Sequence, residues 1–89
     1  MSSRLIGYDL SRPGQEYSDL YEAIKSYETW WHQLDSTWII ESSQTTEQIR
    51  NHLKQYVDSN DKLLVVALTG EGAWTGFNQK GTQWLKDHL

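Results

Sequence analysis

Six consecutive apolar residues, Leu63-Leu64-Val65-Val66-Ala67-Leu68, constrain this chain most. Rich in leucine and valine and too short for a helix of its own, the run reads as a strand from Lys62 to Thr69. Side chains alternate between the two faces of a strand, so both faces of this one are apolar. Such a strand lies inside a sheet or beneath a partner. Asp58-Ser59-Asn60-Asp61 precedes it as a stop, and Gly70, Gly72 and Gly76 follow as a connector.

The remaining elements can be placed around that strand. Ile6, Tyr8 and Leu10 alternate with Leu5, Gly7 and Asp9, which predicts a strand over Leu5–Leu10. Ser11-Arg12-Pro13-Gly14 closes it. Tyr17, Leu20, Tyr21, Ile24 and Tyr27 recur at helical spacing, with Asp19, Glu22 and Lys25 outward, so a helix runs from Gln15 or Ser18 to Tyr27. Thr29–Leu34 and Thr37–Ser42 read as strands joined in a hairpin. Thr45-Thr46-Glu47-Gln48 has the form of a capping box, followed by Ile49, Leu53, Tyr56 and Val57 on one helical stripe. Asn78 to Leu89 forms a short helix carrying Trp84 and Leu85.

Strand, helix, strand, strand, helix, strand with right-handed crossovers is a ferredoxin-like βαββαβ sandwich: an α+β domain with a four-stranded antiparallel sheet and a short C-terminal helix. At 89 residues the chain is one domain, residues 1–89, with a core from about 4 to 69 and an extension over 70–89. Both crossover helices cover one sheet face. The other face would expose part of the last strand and some of the five tryptophans, and an apolar patch of that kind marks a partner surface. A homodimer is the simplest occupant, and the tail helix a second cover. Trp31, Trp38 and Trp74 are the candidate interface aromatics. Adjacent Trp30 and Trp31 must face opposite sides, one inward and one toward a partner or a stacked base.

With no cysteine, the chain has neither disulfides nor thiolate ligands. A net charge of -4 argues against coating nucleic acid or anionic lipid by bulk charge. No stretch has the length of a membrane span or the form of a signal peptide, so the expectation is a cytoplasmic protein.

Asp9 is the candidate catalytic and metal-binding residue. It ends the first strand on the face turned away from the helices, where a carboxylate can hold Mg²⁺ with waters and a phosphate oxygen. A two-fold axis across that face would supply a second copy of it. Tyr8, Ser11 and Arg12 are candidates for orienting phosphate. The plainer alternative is that Asp9 caps the following turn through Ser11 or Arg12. His32 would serve as a general base if its strand adjoined that of Asp9; otherwise it is a half-buried histidine bonded to backbone. No histidine pair has zinc-ligand spacing.

Ile6-Gly7-Tyr8-Asp9-Leu10, the Thr37-Trp38-Ile39 segment after an aromatic strand, and Asn60-Asp61-Lys62-Leu63-Leu64-Val65-Val66 together resemble the SinR-like family of small bacterial and phage proteins. That family is similar in turn to the ferredoxin-fold small subunit of the CRISPR adaptation complex and to VapD-type toxins. The similarity runs from about Arg4 to Trp84. It implies a homodimer, with the aspartate that ends the first strand, here Asp9, as metal ligand in a Mg²⁺-dependent endonuclease acting on RNA or DNA. The acidic first helix, with Glu16, Asp19, Glu22 and Glu28 around Lys25, departs from nucleic-acid-binding relatives. Two function classes therefore stand: a dimeric nuclease-like protein, and a non-catalytic module that binds a protein partner, such as a phage or mobile-element protein acting on a host or defence complex.

Overall fold

In the computed structural model, which describes residues 2–11 and 17–89, the first strand is paired along both edges. The elements are β1 (Ser2–Asp9), α1 (Ser18–Lys25), β2 (Thr29–Leu34), β3 (Thr37–Ser42), α2 (Thr46–Lys54), β4 (Lys62–Ala67) and α3 (Gln79–His88). The chain is an α+β protein whose four-stranded antiparallel sheet has the order β2-β3-β1-β4.

β1 starts earlier than the alternation of Leu5–Leu10 suggests. Ser2, Ser3 and Arg4 pair with Ser42, Glu41 and Ile40, so β3 templates three polar residues into the ladder. Leu10 falls outside the strand. The hairpin between β2 and β3 forms as expected, with an irregularity in register between Trp31 and Leu34. The capping box also forms: the Thr45 hydroxyl accepts from the Gln48 amide at 3.1 Å, and the Thr45 amide donates to Gln48 Oε1 at 2.9 Å.

Two apolar clusters sit on opposite faces of the sheet. The larger lies between the sheet and the pair α1 and α2, with Ile6, Leu20, Ile24, Trp38, Ile40, Ile49 and Leu53 all essentially solvent-free. The smaller joins Trp31 of β2 and Ile39 of β3 to Leu85 of α3, with Leu68, Trp74, Phe77 and Leu89 packed around them. Neither cluster could form without strand alternation, since Trp38 and Ile40 point one way and Ile39 the other.

α3 is fastened by polar contacts as well as by packing. Trp31 Nε1 donates to the Gly81 carbonyl at 3.2 Å and Trp84 Nε1 to Thr29 Oγ1 at 2.9 Å. The Ser3 hydroxyl donates to the carbonyl of His88, whose ring stands 3.2 Å from Glu41. The connector reaches α3 through Gly70 and Gly76, both at positive φ near 90°, where a side chain would be strained. Asn78 caps the helix by accepting from the Gly81 amide at 2.7 Å. No helix of the described residues is long and apolar enough to cross a membrane.

Candidate functional site

The sheet face turned away from α1 and α2 is only half covered. α3 and the connector roof its β2–β3 side. Toward β4 the roof stops. Gly7 of β1 stands beside Leu64 of β4, and Leu5 beside Val66. Leu64 is 56% exposed and Val66 37%. A Cβ placed on Gly7 would meet only Leu5 Cδ2, at 3.8 Å, so the missing side chain leaves a furrow between its neighbours. The opposite side of β4 packs normally, with Leu63 and Val65 against the main cluster.

The apolar run of β4 thus occupies a sheet edge rather than the sheet interior. One of its faces is buried by the chain itself and the other is not. Of the two places expected for such a strand, the position beneath a partner is the one this topology leaves open.

Asp9 closes one end of this strip. It is exposed, lies on the same face as Gly7 and Leu5, and stands opposite Lys62 in the ladder. A basic residue is thus the cross-strand neighbour of Asp9 on the face where a cation would have to approach. Among the described residues no group of three His, Cys, Asp or Glu side chains could hold a metal ion.

The other expected site residues do not converge on Asp9. Tyr8 points to the helix side of β1. Its hydroxyl accepts from Trp38 Nε1 at 2.9 Å and donates to the Asp35 carbonyl at 3.4 Å. Burial raises the Tyr8 phenol above its ordinary pKa, partly offset by the bond from Trp38. Ser11 is held elsewhere: its amide and hydroxyl both donate to Asp61 Oδ1, at 2.8 and 2.9 Å. Arg12 lies outside the described residues. His32 is separated from β1 by the whole of β3 and stacks flat on Trp38, centroids 3.7 Å apart. Its proposed pairing with Asp9 as general base fails because the strands do not adjoin.

The interface aromatics are also placed differently from the expectation. Trp38 is buried in the main cluster, and Trp31 is buried beneath α3. Trp74 is half-buried against the same smaller cluster, within its own chain. The tail-helix cluster takes in Trp31 and Trp74, and the cluster beneath α1 and α2 takes in Trp38. The exposed residues of the strip are aliphatic instead.

Asp61 is the polar hub that sequence reasoning passed over as part of a turn. Besides the two bonds from Ser11, its carboxylate accepts from the Tyr17 hydroxyl at 3.1 Å and the Asp58 amide at 2.8 Å. The Ser11 and Asp58 backbone amides are the chief reason its pKa falls from 3.8 to about 2. Asp61 ties the end of β1, the start of α1 and the entry to β4 together, a structural role. An Asp–x–x–Asp turn immediately before a strand was the signal available for it.

No family model matches the chain, and no solved structure matches it.

Proposed function

We propose that this chain is a ferredoxin-like interaction module that works by docking the uncovered strip of β1 and β4 onto a protein surface, in the first instance a second copy of itself. One observation carries the reading: Leu64 and Val66 are exposed beside the bare Gly7, while Trp31 and Ile39 on the same sheet face are buried beneath α3. β4 is also an edge strand, whose free backbone groups can pair with another chain. Two copies joined there, antiparallel through β4 or face to face, remove the same patch from water on both sides. Acidic composition suits a module that meets protein rather than nucleic acid through most of its surface.

The test is sedimentation of the wild type beside Leu64→Glu. The wild type should be dimeric at micromolar concentration and the variant monomeric, with the amide spectrum of the folded chain and a urea midpoint that, unlike that of the wild type, does not depend on protein concentration. A wild type that stays monomeric throughout removes the homodimer, and the same variant then reports on any other protein partner.

A second reading is supported by the position of Asp9 on the rim of that strip. A face-to-face dimer with its two-fold axis beside Asp9 would bring the carboxylates of two copies toward one another, which is the arrangement that the resemblance to CRISPR-adaptation-type subunits implies for Mg²⁺-dependent cleavage. Cleavage of RNA or DNA that requires Mg²⁺ and is lost in Asp9→Ala supports it. Cleavage that survives the substitution excludes it.

A further inference from the structure

The free edge of β2 is flanked by a feature that the docking strip does not use. Trp30 is an exposed ring on an edge strand, 41% accessible. It lies against buried Trp38, centroids 5.4 Å apart, and beside His32, which stacks on that same indole. Lys25 of α1 holds its ammonium 5.4 Å from the centre of the Trp30 ring. These residues and Tyr21 line a hollow of about 380 Å³ on the α1 side.

A second hollow, about 510 Å³, adjoins it and shares Lys25, Trp30 and His32. It continues around the edge of β2 to α3, where Lys80 and Trp84 form its far wall. The result is a groove lined by aromatic rings, with Lys25 where the two hollows meet and Lys80 on the far wall. One carboxylate, Glu28, also lines it. Among the described residues the acidic partner of Lys25 is Glu22, at 3.8 Å, an exposed helix-surface pair that competes weakly for it.

We propose that this groove binds a nucleobase carrying a phosphate, as a free nucleotide or as part of a single strand. Every base offers a flat face that stacks on an exposed ring, and the lysines supply charge for the phosphate. The open backbone groups of an edge strand can meet the polar edge of the base. A cationic planar ligand would be repelled by Lys25 and Lys80. An uncharged apolar one would leave both ammonium groups unused. The volume lies within the range of small-ligand sites. The acidic net charge of the whole chain does not oppose this, because the site is local and takes few phosphates.

Two probes test it at low salt: fluorescein-labelled hexathymidylate, followed by anisotropy, and AMP, followed through the indole N–H signals of the tryptophans. Saturable binding is expected, with the Trp30 signal shifting and that of Trp74, on the opposite sheet face, unmoved. Trp30→Ala should weaken binding about 5- to 100-fold, the loss of one stacked base, and Trp30→Phe should restore most of it. Lys25→Gln and Lys80→Gln should each reduce the salt slope of hexamer binding by about 0.7. A hexamer that binds far more tightly than AMP assigns the site to a strand, and equal affinities assign it to a nucleotide. Absence of binding by both probes overturns the proposal. So does binding that Trp30→Ala leaves unchanged while its amide spectrum remains that of the folded protein.

Discussion

Replacing Leu85 by Ala empties the centre of the smaller cluster, where Leu85 is 3% exposed between Trp31 and Ile39. Truncating a buried leucine costs about 2–5 kcal/mol, the lower part applying where the surroundings relax. An apolar groove of about 360 Å³ already opens beside Leu85, between the connector and the sheet, so relaxation is easy and about 2–3 kcal/mol is expected. A domain of this length has about 4–13 kcal/mol in total. The main cluster has no member on α3, so the loss falls first on docking of the tail helix rather than on the whole fold. Native-state hydrogen exchange reads this directly. Amides of α3 should lose about 30- to 150-fold of protection, the same energy expressed as an opening constant. Those of β1 and β3, the most extensively paired strands, should stay slower than α3 in both proteins. If α3 and β1 open with one and the same free energy in wild type and variant, the two clusters are a single cooperative core and the reasoning is wrong.

Two further substitutions probe the polar framework. Asp61→Asn removes the charge that accepts from Ser11, Tyr17 and Asp58. Because the Asp61 pKa is lowered from 3.8 to about 2 in the folded chain, its contribution is present above about pH 4 and fades as pH falls toward 2. Urea midpoints measured across that interval should decline more steeply for the wild type than for Asp61→Asn, and parallel declines would contradict the assignment. Tyr8→Phe takes away the acceptor for the indole N–H of Trp38, a ring only 1% exposed, and should cost about 1–3 kcal/mol in thermal or urea unfolding. An unchanged stability would mean that the indole finds another acceptor.

Much of the fold is legible in local chemistry. The alternation of Ile6 and Tyr8, the helical spacing of Leu20 and Ile24, and the Thr45–Gln48 capping box each specify an element without help from the rest of the chain. Ser2–Arg4 could not be read as strand because nothing local marks them; their pairing with Ile40–Ser42 is imposed by β3. The site is less legible, since it depends on which strands adjoin. Asp9 and His32 are comparable as residues, but β3 stands between their strands. Trp31 has the composition of an interface residue and is covered by α3 through contacts with Leu85 and Gly81, more than fifty positions away in sequence for the former. Asp61 looked like punctuation because its partners Ser11 and Tyr17 are distant in the chain. Conversely, the apolar outer face of β4 was visible from the start, and only the topology shows that the chain itself leaves it bare.

That face can be mapped in solution because the chain contains no cysteine of its own. Leu64→Cys places one thiol on the uncovered strip, and Glu47→Cys places one on the exposed side of α2. A short bis-maleimide added at micromolar protein should join two copies of Leu64→Cys rapidly and leave Glu47→Cys as monomer. Equal, slow cross-linking of both variants would contradict docking through β1 and β4.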